Sequence, residues 1–184
     1  MTDVVFLHGA GAEAHAEDAP MVASLEHHLG DGYRIHYPEL PHGDDPTLER
    51  WGPVIARTIE DADGPVVLVA HSFGGYLGLK QLALTPPRTP LASVHLLAVP
   101  YPGGDADWTW DGFELPGGWT RMLPDAVYLY ASEDDEWVPF AHRDLYAAAI
   151  PGSLTRTTTG GHQLGEDLGV VADDIRAAPA PGVE

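Results

Sequence analysis

The stretch VVLVAHSFGGYLGLK, residues 66–80, constrains the fold more tightly than any other part of this chain. A run of aliphatic and β-branched residues, the composition of a buried strand, gives way at A-H-S-F-G-G to helix-forming residues. The chain must therefore turn sharply from strand to helix, with Ser72 at the apex. Ala70 and Gly74 flank the serine at the second position on either side, where such a turn leaves little room for side chains. In the pattern G-x-S-x-G, small neighbours permit a strained turn that lifts the serine hydroxyl above a sheet edge. Here alanine stands in place of the first glycine. Serine also favours turns and helix N-caps in its own right. The string alone thus leaves a nucleophile and a capping residue equally open.

The rest of the chain supplies a setting for that turn. Strand candidates are Val4–Leu7, Arg34–Tyr37, Val66–Ala70, Ser93–Ala98, Val127–Ala131 and Leu154–Thr158, several of them continuously apolar. Helical spacing predicts helices over Ala19–Leu29, Leu48–Ala62, Phe73–Leu84, His142–Ala149 and Leu164–Ala177. In the second of these, Leu48, Trp51, Ile55 and Ile59 share a face, which makes Trp51 a core residue. Strands alternating with helices imply an α/β fold, a doubly wound and mostly parallel sheet with helices on both faces. A length of 184 residues suits one domain, expected over 1–178 with a frayed tail at 179–184. In such sheets ligands bind beyond the carboxyl ends of the strands, so the loops after each strand are the place to seek chemistry.

Charge and composition exclude several classes. The chain carries 28 acidic against 9 basic residues, a formal −19, and Lys80 is its only lysine. Neither nucleic acid nor an anionic membrane is an expected partner for such a surface. The acids are spread along the chain rather than blocked, which favours a solubility-promoting surface over cationic partners or adaptation to high salt. No apolar run reaches the roughly 20 residues that span a bilayer. The opening MTDVVFLHGAG has no basic leader and runs straight into a strand, and with no cysteine the expected location is cytoplasmic. The absence of cysteine also rules out disulfides and thiol catalysis.

A serine hydroxyl is a poor nucleophile unless an imidazole takes its proton. Of the ten histidines, His162 lies after the last predicted strand in TTTGGHQLGEDL, on a Gly-Gly turn at the functional edge. His8 follows the first strand in H-G-A-G, where glycines free backbone amides to face a developing oxyanion, and its ring is a candidate for the substrate pocket. His71 sits inside the turn pointing away from Ser72, a structural position; His36 and His95 lie in strands and read as satisfied groups. His27 and His28 diverge on a helix, His42 sits on a strand-end loop, and none of these shows the spacing of a zinc site. The imidazole needs an acid to fix its tautomer. The segment VYLYASEDDEWVPF offers Glu133, Asp134, Asp135 and Glu136 at a strand end, with Asp135 the choice and Asp134 the alternative. Ser72, Asp135 and His162 then follow three different strands in the order Ser…Asp…His.

With these residues in place the chain resembles the small α/β-hydrolases, similar to the YdeN and retinoblastoma-binding-protein-9-like serine hydrolases. The matching pieces are FLHGAG at 6–11, YPELP at 37–41 with Trp51 beyond, VAHSFGG at 69–75, ASEDDEWVPF at 131–140 and GGHQ at 160–163. The resemblance spans essentially the whole chain and implies an α/β-hydrolase fold of about six strands with a reduced cap. In that family the acid stands three residues before the V-P pair, which is Asp135 here. Two departures are Ala70 in the turn and the H-G-A-G loop, which looks more like that of general esterases.

The expected activity is hydrolysis of a small-molecule carboxylic ester with no cofactor and no metal. Ser72 is the nucleophile, His162 the base and Asp135 its orienting acid, with the backbone N–H groups of Ala10 and Phe73 as the oxyanion hole. A peptidase or amidase on the same triad, or a binding module with a vestigial site, are the alternatives. Residues 99–123 carry Trp108, Trp110, Phe113 and Trp119, either as a lid lining an apolar substrate pocket or as a plug covering the sheet. The oligomeric state is left open.

Overall fold

The structure, a computed structural model, describes residues 1–179. Six strands, β1 (Thr2–Leu7), β2 (Tyr33–His36), β3 (Val66–His71), β4 (Leu91–Leu97), β5 (Val127–Ser132) and β6 (Leu154–Thr158), form one parallel sheet in the order β2-β1-β3-β4-β5-β6. Five α-helices connect or follow them: α1 (Ala14–Leu29), α2 (Leu48–Glu60), α3 (Ser72–Leu84), α4 (Ala141–Ala149) and α5 (Gly169–Ala177). The expected tail lies, beyond Pro179, outside the described residues.

The near-continuous apolar strands are explained by two cores, because successive side chains leave a strand on opposite faces. Val5, Leu7, Leu68, Ala70 and Leu96 pack with Trp51, Ile55 and Ile59 of α2, with α3, and with Tyr146 of α4. Val4, Phe6, Val67, Val69 and Tyr130 pack on the other face with Met21 and Leu25 of α1 and Val171 and Ile175 of α5. Trp51 is fully buried, as its helical spacing predicts, and its indole N–H donates to the Pro41 carbonyl at 2.8 Å.

The chain winds from β1 outward to β2, then crosses back to β3 and proceeds the other way. The strand order therefore reverses between β1 and β3, which lie side by side with Leu7 opposite Ala70. That is the crevice where parallel sheets of this kind bind ligands. The register sets the loop after β1 directly against the turn after β3.

Two expected elements differ in instructive ways. Helix α1 begins at Ala14, ahead of Pro20, which sits inside it. Proline has no N–H to give the Ala16 carbonyl, and both Ala16 and Pro20 border the cavity described below. The helix expected over Leu164–Ala177 is broken. Leu164, Gly165 and Glu166 all hold positive φ (54°, 65° and 58°), so a short 3₁₀ turn at Leu164–Glu166 precedes α5. The segment 99–123, expected as an irregular connection, folds as turns with a 3₁₀ turn at Trp119–Met122. Among the described residues no helix is long and apolar enough to cross a membrane.

Candidate active site

Ser72 is the first residue of α3 and holds φ at +50°, a left-handed conformation that is strained for a residue with a side chain. The turn is possible because Gly74 comes within contact of the β1 loop. A Cβ on Gly74 would stand 2.1 Å from the His8 carbonyl oxygen, closer than any side chain tolerates. Ala70, by contrast, lies in β3 proper, opposite Leu7 and Leu96, where a methyl fits the core. The departure from glycine before the serine is therefore accommodated by strand geometry.

Three side chains expected from three separate loops meet at this turn. His162 Nε2 lies 2.9 Å from Ser72 Oγ, and His162 Nδ1 lies 2.9 Å from Asp135 Oδ2 and 3.1 Å from Oδ1. The loop after β5 aims the Asp135 carboxylate, whose Oδ1 accepts the N–H groups of Trp137 and Val138 at 2.8 and 2.9 Å. Burial raises the Asp135 carboxyl, but the His162 hydrogen bond and these amides outweigh it, and the group is held below the usual carboxylate range. Asp134, the alternative acid, faces elsewhere and accepts the Gly160 N–H at 3.1 Å, which ties down the turn that carries His162.

The loop after β1 supplies backbone donors. The Gly9 N–H donates to Asp18 and the Gly11 N–H to the Gly43 carbonyl. Among the described residues no acceptor meets the N–H of Ala10, and Ala10 lines the cavity beside Ser72. The Phe73 N–H lies in the first turn of α3, where helix amides have no intrahelical acceptor. Gly9 permits the close approach of the two segments, since a Cβ there would stand 3.3 Å from the Ser72 Cβ.

A cavity of about 650 Å³ opens above Ser72. Ala14, Ala16 and Pro20 of α1 form one wall, Phe73, Trp108 and Trp137 contribute aromatic surface, and Glu17, Gln163 and Glu166 stand around it.

The pocket residues require correction. Of the four loop aromatics only Trp108 lines the cavity. Phe113 is 4% exposed and lies in the core, stacked on Phe73 and against Tyr76. Trp110 stacks on the outer side of Phe113 at 4.0 Å and is 47% exposed. Trp119 meets Tyr146 of α4 edge-on. The loop is thus chiefly a plug over α3 and α4, with Asp105 tied to buried His142 at 2.8 Å. His8 is likewise not a pocket residue. Its ring is buried, Nδ1 donates to the Gly9 carbonyl at 2.7 Å and Nε2 accepts the Leu40 N–H at 2.9 Å. Burial holds it below the ordinary histidine value, consistent with this neutral tautomer.

Some neighbours of the site were not foreseen. Trp137, 68% exposed at the cavity mouth, follows Asp135 by two residues, and its place on the same strand-end loop was the available signal. Asp18 of α1 and Glu166 carried none. His71 does turn from Ser72, but toward Asp18 and the His162 backbone.

A parallel sheet in this order, with a strained serine after β3 and its imidazole and carboxylate after β6 and β5, has the make-up of an α/β-hydrolase. The chain belongs to the alpha/beta hydrolase family, whose sequence model matches residues 4–183. No curated protein matches the sequence. Among solved structures it is similar to the ydeN gene product of B. subtilis, at 20% identity and a TM-score of 0.73 over 97% of this chain and 98% of that one. It is similar also to a pyrethroid hydrolase from Sphingobium faniae JZ-2, at 18% identity and a TM-score of 0.67 over 96% of each chain. A third is Est1E of Butyrivibrio proteoclasticus with ferulic acid bound, at 16% identity and a TM-score of 0.62 over 96% of this chain and 87% of that one.

Proposed function

We propose that the protein is a serine esterase, hydrolysing carboxylic esters of small to medium acyl and alcohol groups through an acyl-enzyme. The observation that carries this reading is the unbroken hydrogen-bonded chain from Ser72 Oγ through His162 to Asp135, at the floor of a cavity of about 650 Å³. His162 Nε2 takes the Ser72 proton as Oγ attacks the ester carbonyl carbon. Asp135 accepts the Nδ1–H and stabilises the imidazolium that results. The carbonyl oxygen, now an oxyanion, lies toward the N–H groups of Ala10 and Phe73, the second at a helix N-terminus where the peptide dipoles assist. Collapse expels the alcohol, which takes the proton from His162. Water then attacks the acyl-enzyme with His162 again as base, releasing the carboxylic acid and free serine.

The apolar character of the substrate groups is supported by the walls. Ala14, Ala16, Pro20, Phe73, Trp108 and Trp137 suit the apolar body of an acyl or alcohol group. Matched p-nitrophenyl esters and p-nitroanilides of increasing acyl length test the reading. The expected result is ester turnover that vanishes in Ser72→Ala, with anilides cleaved far more slowly. Equal or faster anilide cleavage would reassign the site to amide bonds, and turnover surviving in Ser72→Ala would remove the serine from the reaction.

A further inference from the structure

Both ring nitrogens of His71 face acceptors. Nδ1 lies 2.7 Å from Asp18 Oδ2, and Nε2 lies 3.0 Å from the backbone carbonyl oxygen of His162. A neutral imidazole carries one N–H, and a carbonyl can only accept. The His162 contact therefore demands a proton on Nε2, and the Asp18 contact demands a second one between Nδ1 and the carboxyl. Asp18 Oδ2 also accepts the Gly9 N–H at 2.9 Å, which favours the ionised carboxylate and leaves the second proton on Nδ1. Both side chains are 2% exposed.

We propose that Asp18 and His71 are positioning residues: a second, buried histidine–carboxylate pair holding two protons, which ties the His162 backbone and the Gly9 amide of the oxyanion segment to one anchor. The pair would fix the base, the nucleophile turn and the oxyanion donors relative to one another, and it rests on the reading of Ser72, Asp135 and His162 as the reacting groups. Three segments far apart in sequence converge on it: α1 through Asp18, the turn after β3 through His71, and the loop after β6 through the His162 carbonyl. Electrostatics agrees with the geometry. Burial pushes the His71 imidazole down, but the charge and hydrogen bond of Asp18, with the His162 carbonyl, carry it above the ordinary histidine value. Burial raises the Asp18 carboxyl, but His71 and the Gly9 amide draw it below the usual range.

The pair also sets the charge beside the base. The rings of His71 and His162 are 4.7 Å apart, centre to centre. Facing His162 are Asp135 from the loop after β5, with Glu136 beside Gly161 and Asp134 on the Gly160 N–H. Ser72 and His71 face it from the turn, Glu166 from its own loop, and Asp18 and Glu17 from α1 across the cavity. Of these, only the His71 imidazolium disfavours a positive charge on His162.

Nitrogen-15 NMR of the histidine-labelled wild-type protein at about pH 8 reads the pair without any substrate, with His71→Gln supplying the assignment. The expected His71 spectrum has both nitrogens protonated at a pH where free imidazole is neutral. One protonated and one bare nitrogen would overturn the proposal. Fluorophosphonate titration then counts competent serines in wild type, Asp18→Asn and His71→Gln, and kcat/KM per competent site is followed across pH. His71→Gln keeps a donor near the His162 carbonyl without the charge. Expected is a loss of about 10²-fold per competent site in Asp18→Asn, and in His71→Gln, where the neighbouring positive charge is gone, an acid limb moved to higher pH. Wild-type rate per site and an unmoved limb, with only fewer competent sites, would reduce the pair to a folding role and overturn the proposal. Failure of the wild type to titrate would instead count against the hydrolase reading, and the NMR result would still decide the protonation of the pair.

Discussion

Replacing Gly74 by alanine tests whether the serine turn and the loop after β1 are locked together by close backbone approach. The new Cβ would stand 2.1 Å from the His8 carbonyl oxygen, 3.0 Å from its carbon and 3.2 Å from the Leu7 carbonyl oxygen. All three are backbone atoms of β1 and its loop, so no side chain can swing aside. Relief needs a separation of about 1 Å between the two segments that carry Ser72 and Ala10, and displacements of that size cost about 10²-fold in rate. Overpacking of this kind destabilises by about 1–3 kcal/mol, or roughly 2–4 °C of Tm per kcal/mol for a chain of this size. Gly32 is the control, because a Cβ there meets nothing within 4 Å. Thermal melts and kcat/KM on a p-nitrophenyl ester are the assays. Gly74→Ala is expected to melt several degrees lower and to turn over about 10²-fold more slowly, with Gly32→Ala close to wild type in both. A Gly74→Ala protein with the wild-type Tm and rate would refute the claim that the turn is seated by this contact.

Asp135→Asn leaves the shape but removes the carboxylate that holds the His162 Nδ1–H, so kcat is expected to fall by about 10⁴-fold with the fold intact by circular dichroism; a fall under tenfold would discharge Asp135 from its role. Phe113→Ala, in the core, is expected to destabilise by about 3–5 kcal/mol, whereas Trp137→Ala at the cavity mouth should change KM for long esters and leave urea unfolding unchanged. The reverse pattern would restore Phe113 to the pocket. Acid should unfold the protein through His95, which is buried, bonded to Ser93 and Tyr130, and pushed down by burial to about 3. Between about pH 6.5 and 3 the unfolded chain takes up a proton that the native one refuses, a loss of about 1.4 kcal/mol per pH unit. His71, raised by Asp18, adds stability that is complete below about pH 6.5 and is lost only as pH rises through its folded value, so it does not offset this trend. Urea midpoints at pH 6.5 and 5 check it: a lower midpoint at pH 5 is expected, and an equal one would contradict the assignment.

What could be read in advance divides along a physical line. The strands, the serine turn and the convergence of Ser72, Asp135 and His162 were legible because each depends on a local pattern: a run of strand residues, small residues about Ser72, a Gly-Gly turn before His162. Trp51 was legible for the same reason, since helical spacing alone puts it in the core. Asp18 was not. It lies 53 residues from His71 in sequence, and a carboxylate on a helix looks the same whether it faces water or a buried imidazole. The break at Leu164–Glu166 was hidden because Leu164 and Glu166 adopt left-handed backbone that their side chains do not favour. The aromatic loop announced apolar surface but not its direction. Only the packing of Phe113 on Phe73 and of Trp119 on Tyr146 shows that most of it faces the core and leaves Trp108 to the cavity.

The reading stands or falls on whether Ser72 is the activated nucleophile. Incubation with a fluorophosphonate, followed by proteolysis and mass mapping of the adduct, measures this without knowledge of the natural ester. A single adduct on Ser72, absent in Ser72→Ala and strongly slowed in His162→Ala, is the predicted result. No adduct, or one that persists in Ser72→Ala, would contradict it.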